Sequence, residues 1–173
     1  STNIITPKVA VITSISLDHV HQLGGTLGAI ATEKAGIIKP NVPTVVAPQP
    51  VEAMLIIAAT AAERRSPLLR VGREVTFDWS PAFDAAGHPT SRVTVRTPRN
   101  AYTDLALPLA GQVQGANAAC AVAAAEVVLG EKVSREKVAA SLAAVQWPGR
   151  MQTFPGPVTT ILDGAHNAAS IEQ

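Results

Sequence analysis

The sequence predicts an α/β protein: a parallel sheet with flanking helices, followed by a small antiparallel sheet and more helix. Three observations carry this expectation. Up to Val71, short apolar runs rich in β-branched residues alternate with helical patterns, the spacing of βαβαβ units. From Glu74 the pattern changes to apolar/polar alternation, the mark of strands with one wet face. From Ala116 to Gly130 the chain is Ala-rich and apolar nearly all round, as a buried helix would be.

The elements follow in order. Lys8-Val-Ala-Val-Ile-Thr-Ser14 suits a strand buried on both faces. After the turn-rich Gln22-Leu-Gly-Gly25, Thr26 is placed to N-cap a helix that runs to about Ile38 and stops before Pro40. Val42 to Pro48 reads as a second strand, Val51 to Arg65 as a second helix, and Pro67 to Val71 as a third strand. Glu74 to Trp79 and Ser91 to Thr97 read as antiparallel strands, joined by the Pro/Asp/Gly-containing loop Ser80 to Pro89. Gly130 closes the Ala-rich helix, and Ser134 to Val145 forms a more amphipathic one. Trp147-Pro-Gly149 breaks the pattern. Beyond it come Arg150 to Phe154, a Pro/Gly turn, and the strand Val158 to Leu162, which leads through Asp163-Gly-Ala-His-Asn167 into a helix. A domain boundary is expected here, with residues 1–149 in one domain and 150–173 opening another.

Composition narrows the function classes. The chain has 173 residues, 47% hydrophobic and 16% charged, with mean hydropathy +0.21, too apolar for intrinsic disorder. Fourteen basic residues against thirteen acidic ones give a formal charge of +1, and the basic ones are scattered, so nucleic acid is not an expected partner. Aromatic residues at 3% argue against recognition by stacking. The apolar runs Met54 to Ala62 and Ala118 to Leu129 fall short of the ~18–20 residues that span a bilayer, so no membrane partner is expected. Cys120 is the one cysteine and no charged-then-apolar leader opens the chain, which favours the cytoplasm. No zinc-like spacing, Ser/His/Asp signature or GxGxxG occurs.

Several residues are candidates for chemistry. Lys34 shares a helical stripe with Leu27, Ile30 and Ala31 that ought to face the core. Desolvation there would lower its pKa and yield a reactive amine or a tightly paired cation; alternatively its stem packs while the ammonium reaches water. His19 follows the first strand, at the edge where open α/β sheets collect ligands, and suits either a metal or a hydrogen-bonded loop. Asp163 and His166 lie at a strand end and helix start, where anionic groups are favoured, although Asp and Asn also serve there as caps. Arg150 follows the Pro-Gly break, where a planar guanidinium matches phosphate oxygens and where an ordinary surface arginine fits equally well. Gln114 and Asn117 open the Ala-rich helix, where an amide either reads a nucleobase edge or caps. His21, His88 and Cys120 are assigned to loops and core.

Together these stretches resemble a known family. Ser1-Thr-Asn, Val11-Ile-Thr-Ser-Ile-Ser-Leu-Asp-His19, Leu23-Gly-Gly-Thr26 and Ile30-Ala-Thr-Glu-Lys34-Ala-Gly-Ile-Ile-Lys39-Pro40 are similar to the folylpolyglutamate synthase/dihydrofolate synthase family of Mur-type ligases. Leu109-Ala-Gly-Gln-Val-Gln114-Gly-Ala-Asn117-Ala, Trp147-Pro-Gly-Arg150-Met-Gln and Leu162-Asp-Gly-Ala-His-Asn167 agree in order and spacing. The likeness spans essentially the whole chain. Its fold implication is the later part of a Mur-ligase-like central ATPase domain and the start of the C-terminal α/β domain.

The resemblance implies ATP-dependent joining of L-glutamate to a folate-type carboxylate through an acyl phosphate. By that similarity His19 ligates Mg²⁺, and Lys34 is carbamylated beside it. Asn117 contacts the adenine end of ATP, with Gln114 in the same segment. Arg150 and Asp163 reach ATP from the linker and the C-terminal domain, His166 lines the cleft, and Ser1 touches the pteroate part of the substrate. The implied partners are small molecules, and the implied state is a monomer when full length. The chain departs from the family's pattern in having no GxxxxGK[ST] phosphate loop, no Gly-rich, glutamate-bearing stretch ahead of Thr2, and Val113 where the family often has histidine. A fragment is therefore expected, one that does not turn over ATP unaided. The competing expectations are another Mur-type ligase of cell-wall synthesis and a non-catalytic binding module.

Overall fold

The apolar run after Lys8 forms β1 (Ala10–Ile12), and the two later runs form β2 (Thr44–Val46) and β3 (Leu68–Arg70), paired in parallel in that order. This computed structural model describes residues 2–16, 26–166 and 171. In-register partners run Ala10, Thr44, Leu68 and Ile12, Val46, Arg70 across the sheet. Between the strands lie α1 (Leu27–Ala35) and α2 (Val51–Glu63). Thr26 caps α1 as expected, its Oγ1 accepting from Ala29 N at 3.1 Å. The helix ends at Ala35 rather than near Ile38, because Gly36 opens a turn that Lys39 closes by donating to Gly36 O at 2.8 Å.

Both faces of the parallel sheet are covered, which is why its strands read as continuous apolar runs. Val46 packs on Ile30, Ala31, Ala53 and Ile57 of α1 and α2. Val45, on the opposite face, belongs to a second core with the antiparallel strands and the long helix.

That antiparallel sheet contains β4 (Thr76–Phe83), β5 (Pro89–Arg96) and β6 (Ala101–Leu107), in order β4-β5-β6. Two features differ from the sequence expectation. The region expected as a loop, Ser80 to Pro89, is half paired strand, since β4 continues to Phe83 and β5 begins at Pro89, and Pro81 is tolerated because β4 lies at the sheet edge. Strand β6 was not expected at all. Its buried residues Tyr102, Leu105 and Leu107 are spaced three then two, because a bulge sits between the pairings Val93 with Leu105 and Val95 with Tyr102. Asp104 takes a left-handed φ of 54° there. One extra residue shifts the side-chain alternation, so no period of two is visible.

The Ala-rich segment forms α3 (Gln112–Leu129), beginning four residues earlier than expected with Gly111 at its N-cap. It packs against β1 and β2 on one side and β4 and β5 on the other. Gly115 permits this approach: a Cβ there would lie 3.0 Å from Phe77 and 3.3 Å from Trp79. The helix is not buried all round, since Val128 and Leu129 are exposed, yet it buries the carboxylate of Glu126. With the turn that follows, residues 112–132 are long and apolar enough to cross a membrane by length and composition, contrary to the sequence expectation. Burial of Ala118, Ala119, Cys120, Val122, Ala123 and Glu126 against protein marks α3 instead as a core helix.

Ser134 caps α4 (Arg135–Ala143), accepting from Lys137 N at 3.3 Å. After the linker, β7 (Gln152–Phe154) and β8 (Thr160–Leu162) form a two-stranded antiparallel pair of their own, in which Phe154, Ile161 and Leu162 are exposed.

Candidate active site

The candidate residues occupy three places. The first is the linker and β8, where Gly149 (φ 72°) and Met151 (φ 48°) bracket Arg150 in a sharp kink. Asp163, just past β8, closes this kink: Oδ2 accepts from Met151 N at 2.8 Å and Oδ1 from Ala165 N at 2.7 Å. Gly164 N donates to Gly149 O at 2.8 Å, and Gln152 Oε1 accepts from Gly149 N at 3.0 Å. The Arg150 guanidinium lies over Gly164, 3.4 Å from where a Cβ would stand, and His166 Nδ1 lies 2.8 Å from Gly164 O. Arg150, Asp163 and His166 are thus one cluster. Asp163 makes the Asx turn expected of a residue at a helix start. Among the described residues no ion pair joins Arg150 to a carboxylate, and a planar guanidinium has the geometry to take an anion.

The second place is the start of α3. Neither Gln114 nor Asn117 is a cap, contrary to the commoner expectation, because Gly111 holds that position. Asn117 Nδ2 instead donates to Gln114 Oε1 at 3.1 Å, so the two amides orient one another on one helix face.

The third place is the end of α1, and here the second of the two readings of Lys34, a packed stem whose ammonium reaches water, agrees with the structure. Lys34 is exposed. Burial on this side of the helix is carried by Ile30, Ala31 and Ala35, with Ile38 beyond it, while the four-carbon stem of Lys34 takes the ammonium to water from the last turn. The desolvation argument for a reactive amine therefore lapses. What surrounds Lys34 is a tight junction: Asn3 Nδ2 approaches Glu33 Oε1 at 3.5 Å, and Lys39 Nζ donates to Asn3 O as well as to Gly36 O. A Cβ on Gly36 would meet Asn3 Nδ2 at 2.7 Å, so a larger residue there would displace the Asn3 amide.

His19 and Ser1 lie outside the described residues, as does Asn167. Among the described residues no three His, Cys, Asp or Glu side chains gather to hold a metal ion, so by themselves they do not form a metal centre. Two described residues were missed at the sequence level. Lys39 ties the Thr2–Ile4 turn to the end of α1, and its signal was a lysine following a helix stop. Gln49 bonds the end of β1, donating to Thr13 O at 2.8 Å and accepting from Ile15 N at 2.9 Å. Its signal was a lone polar residue between Pro48 and Pro50.

The fold thus combines a doubly covered parallel sheet, an antiparallel sheet packed on α3, and a kinked linker that carries Arg150. The chain belongs to the Mur ligase family, matching the Mur ligase middle domain over residues 1–125. Among individual relatives, it is 35% identical to folylpolyglutamate synthase of Lacticaseibacillus casei over 99% of this chain and 40% of that protein. It is 34% identical to dihydrofolate synthase/folylpolyglutamate synthase of Bacillus subtilis over 100% of this chain and 40% of that protein. Of solved structures, the FPGS–AMPPCP–folate complex superposes with a TM-score of 0.90 at 33% identity, over 98% of this chain and 41% of that one. Folylpolyglutamate synthase of Mycobacterium tuberculosis complexed with ADP gives 0.86 at 33% identity, over 97% and 38%. The chain spans about two fifths of the length of the curated relatives it matches. The α/β class, with a parallel and an antiparallel sheet, agrees with that of the central domain of these relatives.

Proposed function

We propose that this chain is part of an ATP-dependent ligase that joins L-glutamate to a folate-type carboxylate, dihydropteroate or a folylpolyglutamate. The observation that carries this reading is the likeness, along 98% of the chain, to a synthase structure described as holding AMPPCP and folate. The carboxylate oxygen attacks the γ-phosphorus of ATP and ADP departs. The glutamate amine then attacks the acyl phosphate carbon, phosphate leaves, and the amine loses a proton as the amide forms.

In this reading the chain's own residues bind and orient. Arg150 neutralises phosphate oxygens from the linker, Asp163 holds that arginine's loop and reaches the nucleotide, and His166 lines the same cleft. Asn117 contacts the adenine end, its amide oriented by Gln114. Ser1 lies near the pteroate part. His19 is the residue assigned to Mg²⁺, which when bound offsets phosphate charge. Lys34, reached by solvent CO₂ at the helix end, is the site of carbamylation, converting a cation to an anion. The domain boundary falls at Gly149–Arg150, supported by the left-handed φ of Gly149 and the separate β7–β8 pair. The compartment is the cytoplasm, consistent with the single buried free thiol of Cys120.

The test is ADP release by the protein that carries this chain, with glutamylated product read by mass spectrometry. Release that requires both the folate-type acid and glutamate is the expected result. ADP release independent of both, or none, overturns the ligase reading. Lys34→Ala is expected to abolish product formation; unchanged turnover removes Lys34 from the mechanism.

A further inference from the structure

Gln114 and Asn117 stand three residues apart on α3, so their side chains are neighbours on one helix face. The backbone beneath them is fixed. Gly115 is buried between them, and a Cβ there would stand 3.0 Å from Phe77 and 3.3 Å from Trp79. Ala118, next along the helix, is 5% exposed within the core. The two amides are half-buried beside this contact.

Asn117 Nδ2 donates to Gln114 Oε1 at 3.1 Å, the one side-chain bond that either amide makes among the described residues. A primary amide carries two N–H donors and one carbonyl acceptor. With one N–H directed to Gln114, Asn117 keeps Oδ1 and its second N–H, an acceptor and a donor side by side. Adenine sets an amine donor beside a ring-nitrogen acceptor, the pattern that an asparagine amide pairs with through both groups. The reversed amide would set Asn117 Oδ1 against Gln114 Oε1, oxygen against oxygen. A purine with a carbonyl in place of the amine would in turn set its oxygen against Oδ1.

We propose that Gln114 determines the base specificity of the nucleotide site, holding the Asn117 amide in the orientation that accepts adenine and rejects a 6-oxopurine. This rests on the reading above in which Asn117 meets the adenine end of ATP. Gln114 is a positioning residue here, acting through Asn117.

The test is the ratio of calorimetric Kd values for ATP and inosine triphosphate in the protein that carries this chain, with Mg²⁺ and without the folate-type acid or glutamate. The two nucleotides share ribose and phosphates, so the ratio isolates the base. The parent is expected to bind ATP about tenfold or more tighter. Gln114→Glu can only accept from Asn117, and the preference for ATP should persist. Gln114→Lys can only donate, which turns the Asn117 amide around and should erase or invert the preference. A parental ratio in Gln114→Lys, or a lost preference in Gln114→Glu, overturns the proposal. If Gln114→Lys does not fold, Gln114→Met decides: removal of the acceptor should cut the ratio about threefold or more, and an unchanged ratio overturns the proposal. Asn117→Ala separates the two readings. An undiminished preference for ATP there defeats the assignment of Asn117 to adenine, and the proposal with it. A preference lost in Asn117→Ala but parental in Gln114→Lys defeats only the role of Gln114.

Discussion

The Tyr102 hydroxyl donates to Glu126 Oε1 at 2.7 Å, joining β6 to the last turn of α3. The same oxygen accepts from Asn100 Nδ2 at 2.9 Å, and Arg99 Nη1 reaches the Glu126 carbonyl at 3.4 Å. Glu126 is 4% exposed and Tyr102 1%. Burial first, and then this hydrogen bond, push the Tyr102 phenol up to about 12. Tyr102→Phe keeps the ring and removes the donor, leaving a buried carboxylate with Asn100 alone. A loss of about 1–3 kcal/mol in denaturant unfolding is expected. An unchanged midpoint would mean that water replaces the hydroxyl.

Glu74 and Arg70 define the acid response. Arg70 donates to Glu74 through Nε and its backbone N, both at 2.9 Å, and through Nη2. The guanidinium hydrogen bond is the main cause that holds the Glu74 carboxyl down at about 2, from an ordinary 4.5. A depressed carboxyl contributes stability that is present above its unfolded value and lost as pH falls through its folded one. Thermal unfolding should therefore lose stability between about pH 4.5 and 2, and Glu74→Gln should flatten that window. An identical slope in the variant would show that other carboxylates govern acid unfolding.

Arg150 offers a kinetic test of the linker cluster. Arg150→Ala leaves the Asp163 bonds to Met151 N and Ala165 N intact, so the kink should persist. The KM for ATP is expected to rise about tenfold or more, the loss of a charge-assisted contact. Arg150→Lys should recover only part of it, because an ammonium lacks the bidentate fork. Equal ATP affinity in all three proteins would remove Arg150 from the nucleotide site.

How far the candidate site could be read in advance depends on what each residue needs. The places of Arg150, Asp163 and His166 were legible because the Pro-Gly break and the strand end are local features, and the bonds from Met151 N to Asp163 and from Gly164 N to Gly149 O bring the two stretches together. Lys34 was legible as a position but not as an environment. A stripe on a helical wheel leaves a buried amine and an escaping ammonium both open, and it does not show that the helix stops at Ala35. Gln49 lies between two prolines, and its bonds to Thr13 and Ile15 exist only because β1 ends beside it.

The sequence by itself determined the α/β class, the parallel runs, the Thr26 cap and the family likeness, since each rests on local propensity, periodicity or a contiguous motif. Tertiary structure alone decided β6, the extent of α3, the burial of Glu126 and the exposure of Lys34. A bulge at Asp104 erases the period of two. The extent and surroundings of α3 follow from two sheets that meet on it, and whether a side chain meets protein or water depends on chain neighbours distant in sequence.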